Sequence, residues 1–444
     1  MTDDTPDTGA PRPTLRQAFA QPAALTMLFF GFTSGLPFLL VGGTLSAWLK
    51  ESGVSLEGIG LMSLAGLAYS LKFLWAPAVD RFNLPLFGAL GRRRGWLLAA
   101  QCVLLAALLG MAQVTPAGDI MVFVSITVLA AFAGATQDIV VDAYRIEIAP
   151  PETQGALAAT YTLGYRFALL CSGALALFLA DQVSWTLVYQ LMAMVLLAVM
   201  LATVLAREPQ VESPRLTSLR DTLVDGVVGP FRDFFTRFAG PLGIALLLFI
   251  GLLKIPDQML GVMAVPFYLD SGFSKSEIGA VSKIFGVWIG IAGAFMGGAA
   301  VVRFGIERTL FFAIIIGAAS NLLYLLLTVY PGNLGVFTLV IAGENLSGGF
   351  LGTAAVAWLS ALVNRRYTAT QYALFSSLVT LPGKLIGGFS GFMVTSMSYS
   401  GFFIFTTLAI LPALALWLWL RARVNMDHGD GARVEPAAVG REQP

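Results

Sequence analysis

Apolar positions in this chain run continuously instead of alternating with polar ones. No charged residue falls between Arg16 and Lys50, or between Arg94 and Asp119. Further uncharged runs lie between Asp181 and Arg207, Arg308 and Glu344, and Lys384 and Arg421. A helix crossing a bilayer needs about 20 mostly apolar residues. Dividing the runs at their Gly, Pro and polar breaks predicts twelve such helices, at roughly 24–49, 55–80, 95–114, 119–147, 153–180, 184–206, 239–268, 275–302, 308–330, 334–363, 369–396 and 400–421. The expected fold class is an all-α membrane protein.

Composition agrees with the pattern. Of the 444 residues 57% are apolar and 12% charged, half the roughly 25% charge of soluble domains. A chain of this kind cannot cover its surface with polar groups, which excludes a soluble enzyme and a disordered protein. The net charge of +1 offers no basic footprint for nucleic acid. Cys102 and Cys171 fall inside apolar runs, and the only histidine, His428, is in the polar C-terminal segment. No metal site, no cofactor and no nucleophile–base set is expected, so the chain is not read as an enzyme.

Charge distribution sets the orientation. Of the 27 basic residues, twenty fall on the connections and tails of one face, whereas Lys50 and Lys275 alone fall on the other. The positive-inside rule therefore predicts a multi-pass membrane protein with both termini cytoplasmic. The long connection, 207–238, divides the chain into 21–206 and 239–423, with polar tails at 1–20 and 424–444. Within it Leu216, Leu219, Leu223, Val227, Phe231, Phe234 and Phe238 recur at helical spacing among charges, predicting an amphipathic helix at the membrane surface.

The two halves repeat. Glu51-Ser-Gly-Val-Ser-Leu-Glu-Gly-Ile-Gly60 aligns with Asp270-Ser-Gly-Phe-Ser-Lys-Ser-Glu-Ile-Gly279 at an offset of 219, which also matches Pro37 to Pro256, Gly42 to Gly261 and Ser63 to Ser282. Two parallel six-helix, pseudo-symmetric bundles with a site between them at mid-membrane are the arrangement of major facilitator transporters. The paired prolines are expected to kink spans 1 and 7 at equivalent depth.

Between spans 2 and 3 lies Ala-Pro-Ala-Val-Asp80-Arg81-Phe, followed by Gly91-Arg-Arg-Arg-Gly95. It resembles the cytoplasmic loop motif of that superfamily and reads as a gate. Asp80, Arg81 and Arg92 would bridge to helix ends and to carboxylates such as Asp142 or Glu147, with Arg145 pairing Asp142.

Five stretches carry a closer likeness: Gly31-Phe-Thr-Ser-Gly-Leu-Pro-Phe-Leu-Leu40, Thr44-Leu-Ser-Ala-Trp-Leu49, Leu71-Lys-Phe-Leu-Trp-Ala-Pro77, Gly91-Arg-Arg-Arg-Gly-Trp-Leu97 and Gln137-Asp-Ile-Val-Val-Asp-Ala-Tyr-Arg145. Together they resemble the AmpG muropeptide permeases. The resemblance implies import of anhydromuropeptides from periplasm to cytoplasm by proton symport, for peptidoglycan recycling, with a link to β-lactamase induction in some bacteria. It also implies that spans 1, 2, 4, 5, 7, 8, 10 and 11 line the cavity. Carriers of another organic anion, such as acyl-CoA or a drug, share the superfamily, and a non-transporting receptor on the same fold is the reading from a different class.

Ionisable residues at membrane depth are functional candidates by default. Arg166, Lys254, Glu344 and Lys384 fall near the centres of their spans, with Lys72, Asp138 and Lys283 somewhat off centre. All lie on the expected cavity-lining set. Basic residues outnumber acids there, which favours an anionic small-molecule substrate. Arg166, Lys254 and Lys384 form the expected anion site, helped by Lys72, Lys283, Gln137 and Tyr165. Lys254 and Asp257, three apart on one helix, can equally pair with each other. Asp138 is the expected proton-coupling carboxylate, with Glu344 and then Asp257 behind it. The partners expected are this anion, protons and the lipid bilayer, and the chain is expected to act as a monomer.

Overall fold

A computed structural model describes residues 20–85, 87–116, 118–148, 154–209, 229–238, 240–362, 368–421, 423–425 and 433–434. These residues are helical apart from connections and one two-residue antiparallel ladder, Val424–Asn425 with Arg433–Val434, inside the segment read as the C-terminal tail. Ten helices among them are long and apolar enough to cross a membrane. They are Pro22–Glu51, Arg92–Gln113, Ile120–Ile148, Ala159–Ala180, Trp185–Leu205, Pro241–Asp270, Lys275–Val301, Ile306–Val329, Leu334–Leu359 and Ser390–Leu420. The second expected span is a string of short helices from Leu56 to Arg81, and the eleventh begins at Thr368–Gly387 and resumes at Ser390. Ser398 (φ 62°, ψ 170°) interrupts the run that follows, close to the expected boundary between spans 11 and 12.

Small residues let these helices approach closely, the usual packing device where lipid removes the hydrophobic drive between helices. Pro22–Leu40 lies along Gln154–Leu169, and a Cβ on Gly31 would strike the Tyr161 carbonyl, just as one on Gly164 would strike that of Leu28. Large apolar side chains such as Phe295, Met121 and Leu205 are more than 70% exposed, consistent with surfaces that meet acyl chains.

The prolines behave less symmetrically than their register. Helix Pro22–Leu40 gives way to Gly43–Glu51 through Val41 and Gly42, just beyond Pro37, whereas the chain turns at Leu253–Lys254 immediately before Pro256. Both helices are broken, but at different points of the repeat.

A second symmetry is better kept. Span 2 tightens into a 3-10 turn at Ser63–Gly66, span 5 widens to i→i+5 bonding at Leu170–Leu175, span 8 does so at Gly279–Phe285, and span 11 breaks at Gly388–Phe389. The offset of 219 superposes 63–66 on 282–285 and 170 on 389. These elements also meet across the halves: Leu170–Leu175 packs on Gly279–Phe285, and Ser63–Gly66 on Thr368–Gly387.

Of the expected amphipathic linker helix, Leu216, Leu219, Leu223 and Val227 lie outside the described residues. Its end is helix Gly229–Arg237. Phe234 and Phe238 are buried there, Phe234 meets Phe375 at 5.4 Å, and Arg237 donates to the Leu362 carbonyl at 3.0 Å. The apolar face packs on the C-terminal bundle.

Candidate functional site

Two cavities meet in the middle of the molecule. The larger, about 880 Å³, is lined by Arg166, Asp257, Asn321, Glu344 and Asn345 and by the glycines of the 286–304 and 334–362 helices. The smaller, about 380 Å³, lies between the halves and is lined by Tyr69, Asp257, Lys283, Glu344, Asn345 and Lys384. Asp257, Glu344 and Asn345 belong to both.

The expected anion site is only partly free of protein partners. Lys254 bonds Asp257 at 2.9 Å, so the pairing that their spacing permits is made in this structure. The two sit three residues apart beside the break at Lys254, which turns the ammonium back over the first turn. Lys384 reaches across the halves to the carbonyl of Gly66 at 3.0 Å, with its ammonium 6.0 Å from the Tyr69 ring. The 3-10 turn at 63–66 directs that carbonyl outside the ordinary helical ladder. Ser70 and Thr380 bond beside it at 3.0 Å. Arg166 is exposed, and among the described residues neither it nor Lys283 makes an ion pair or hydrogen bond. Lys283 projects from the widened turn of span 8 toward Gly43 and Gly173 of the other half.

The cavity keeps its positive surplus. Among the lining residues Arg166, Lys283 and Lys384 stand against Asp257 and Glu344, and Asp257 is already paired with Lys254. A desolvated cation needs an anionic partner, and the surplus leaves room for one to enter. Glu344 accepts a 2.5 Å hydrogen bond from Tyr324, whose hydroxyl also meets that of Tyr268 at 2.7 Å. This two-tyrosine chain fixes the carboxylate at the junction of the cavities.

A second cluster lies in the N-terminal half. Lys72 sits 3.6 Å from Asp138 and 3.7 Å from Asp142, and Asp142 lies 3.7 Å from Arg145. Gln137 is fully buried, and neither its amide oxygen nor its nitrogen has a partner among the described residues. Tyr165 is half-buried and meets Phe38 and Tyr161 at 6.4 and 6.2 Å between ring centres. Trp358 is buried between Phe249 and Trp417 and serves the core.

At the arginine-rich end, Arg93 forms a two-pronged pair with Glu147 at 2.6 and 2.9 Å, and Arg92 approaches the same carboxylate at 3.5 Å. Glu208 accepts from the backbone N–H groups of Arg93 and Arg94 at 2.7 and 3.0 Å, satisfying the start of that helix. Of the two carboxylates expected to meet the arginines, Arg92 meets Glu147, while Asp142 turns to Lys72 and Arg145. The side chains of Asp80 and Arg81 lie outside the described residues. This network ties spans 3, 4 and 6 of one half together.

The opposite end joins the halves, through residues that sequence reasoning passed over. Lys50 pairs with Asp270 at 2.8 Å and Lys275 with Glu51 at 2.7 Å. Lys275 also lies 3.7 Å from Asp181, whose carboxylate accepts from the Ser276 N–H at 2.6 Å. Trp185 donates to Glu51 at 2.6 Å and Tyr399 to Asp270 at 2.8 Å. The acids are the first residues of the two repeated segments, and the lysines are the two lone cations of that face. Their coincidence was the available signal.

Two helical halves around a cationic cavity, clamped at one end by reciprocal ion pairs, are an arrangement suited to a membrane transporter. The Major Facilitator Superfamily model matches residues 23–255. A peptide transporter, POT, in complex with sulfate superposes with a TM-score of 0.70 at 14% identity, covering 93% of this chain and 96% of that one. A bacterial homologue of the human lysosomal transporter Spinster gives 0.68 at 16% identity, covering 90% and 96%. These two show the fold. The anhydromuropeptide permease of Escherichia coli (strain K12) is 40% identical over 405 residues, 91% of this chain and 80% of that protein. The chain belongs to the AmpG muropeptide permease family within the major facilitator superfamily.

Proposed function

We propose that this transporter imports anhydromuropeptides from the periplasm to the cytoplasm in symport with protons, supplying peptidoglycan recycling. The surplus of cations around the shared cavity carries the reading, since muropeptide carboxylates can take the place of the missing protein anions. Arg166, Lys283 and Lys384 are the substrate-facing cations, with Gln137 and Tyr165 contributing from the N-terminal half once the cavity widens. The substrate for which the Escherichia coli relative is named supports the muropeptide over other organic anions. With both termini cytoplasmic, the face bearing Lys50 and Lys275 is periplasmic, and the reciprocal pairs close the outer side.

Proton coupling needs a carboxylate whose surroundings change between the two open states. Asp138 shares Lys72 with Asp142, so protonating Asp138 frees the ammonium to move wholly to Asp142. Glu344 sits at the cavity junction and is the second candidate, with Asp257 third. Arg92, Arg93 and Glu147, with Asp80 and Arg81 of the same loop, act at the inner end. Uptake of labelled anhydromuropeptide into proteoliposomes tests the whole reading. Accumulation with an inward proton gradient is expected, and uptake equal to empty liposomes would remove the muropeptide.

A further inference from the structure

The helix starts at Arg92 and Ile306 are built alike. Each follows a glycine with left-handed φ and extended ψ: Gly91 at 102° and 167°, Gly305 at 82° and 164°. An offset of 214 relates them, and it also superposes Ile120–Ile148 on Leu334–Leu362. In the N-terminal half two carboxylates neutralise this corner, Glu208 on the helix start and Glu147 on the arginines. At the same offset the C-terminal half has Ala422 and Ala361. Arg94 has its counterpart in Arg308, and Arg303 is added by the preceding helix.

Both arginines are exposed, and among the described residues neither pairs with a carboxylate. Arg303 stacks only on Phe304, at 5.5 Å. They stand on a groove of about 620 Å³ that is otherwise almost wholly apolar, lined by Met296, Phe304, Phe312 and Phe350. Glu307 does not belong to that lining. A membrane-depth groove with two unneutralised cations at its end has the chemistry of a lipid: chains against the aromatic wall, an anionic headgroup between the guanidinium groups. Basic sites between helices select anionic over zwitterionic headgroups on these grounds.

We propose that this groove holds one anionic phospholipid, whose headgroup neutralises Arg303 and Arg308. The occupant is separate from the transported substrate, and the site stands whatever that substrate is.

The test is native mass spectrometry of the full chain in detergent, titrated with phosphatidylglycerol or phosphatidylethanolamine. One phosphatidylglycerol should bind in preference to phosphatidylethanolamine. Arg303→Gln with Arg308→Gln should weaken it at least about tenfold, given the pull of each arginine on an anionic headgroup, while Arg423→Gln leaves it unchanged. Ala300→Phe, which fills the groove and keeps both arginines, should weaken it independently. Unchanged phosphatidylglycerol binding in either variant would overturn the proposal, as would equal retention of the two lipids. Equal competition by glycerophosphoglycerol, the headgroup without chains, would reduce the site to a surface anion contact and overturn it too.

Discussion

Neutralising Glu51 and Asp270 together should open the outer end. Glu51→Gln and Asp270→Asn keep the acceptors for Trp185 and Tyr399, so what is lost is charge and not shape. The side chains of Lys50 and Asp270 are 25% and 36% exposed, and those of Lys275 and Glu51 are 12% and 36% exposed. Pairs exposed to this degree contribute about 0.2–1 kcal/mol each. The Lys275 ammonium, 5.6 Å from the Trp185 ring centre, adds about 0.5–1 kcal/mol. The closure as a whole then amounts to about 1–3 kcal/mol, a shift of roughly 5- to 150-fold between outward-closed and outward-open states. Ser46 lines the smaller cavity beneath the closure. With Cys102 and Cys171 replaced, a cysteine at Ser46 should react about 2- to 30-fold faster with an impermeant thiol reagent applied from outside, the share of the closure that the two ion pairs supply. Raising ionic strength should produce part of the same effect in the wild type, because exposed charges are screened. The exchange Lys50→Asp with Asp270→Lys should restore slow labelling. A double-neutral protein labelled at the wild-type rate, at normal membrane levels, would refute the assignment of these pairs as the outer gate.

Much of this architecture was legible beforehand because membrane spans are long and carry their signal in every residue. The six-plus-six division, the repeat and the placement of ionisable residues on spans 2, 4, 5, 7, 8, 10 and 11 all follow from runs of charge-free sequence. What stayed hidden depends on contacts between distant elements. No local pattern reveals that Lys50 faces Asp270 or that Lys384 finds the Gly66 carbonyl, since each partner lies more than 200 residues away. The choice between Lys254 as free cation and as Asp257's partner was open because helical spacing permits the pair without requiring it. In the structure the chain turns at Leu253–Lys254 and the pair forms. The distorted turns of spans 2, 5, 8 and 11 were invisible for a related reason. Wide and tight turns are short departures from the regular ladder that no stretch of composition announces, and here they lie where the two halves touch. Their recurrence at equivalent depth indicates that the seam, where the halves must part, has been built from segments that do not form regular helix.

Three further outcomes follow. Cysteine at Ser52 should label in cells with a permeable outer membrane before lysis, and labelling only after lysis would reverse the orientation; Ser274 is the poorer position because its side chain caps a helix in a reciprocal pair with Glu277. Lys254→Ala and Asp257→Ala should be less than additive in substrate affinity, with a coupling of about 0.5–3 kcal/mol, whereas strictly additive losses would mean each contacts substrate separately. The last concerns coupling. Asp138 and Asp142 share one lysine within 3.7 Å, so Asp138→Asn leaves Lys72 permanently on Asp142 and mimics the protonated state. That variant should bind and exchange muropeptide but fail to accumulate it against a gradient, and its exchange should lose the pH dependence of the wild type. Glu344→Gln keeps an acceptor for Tyr324 and should lower affinity while preserving accumulation at saturating substrate. If Asp138→Asn still concentrates substrate and Glu344→Gln does not, the coupling proton resides on the carboxylate at the cavity junction instead.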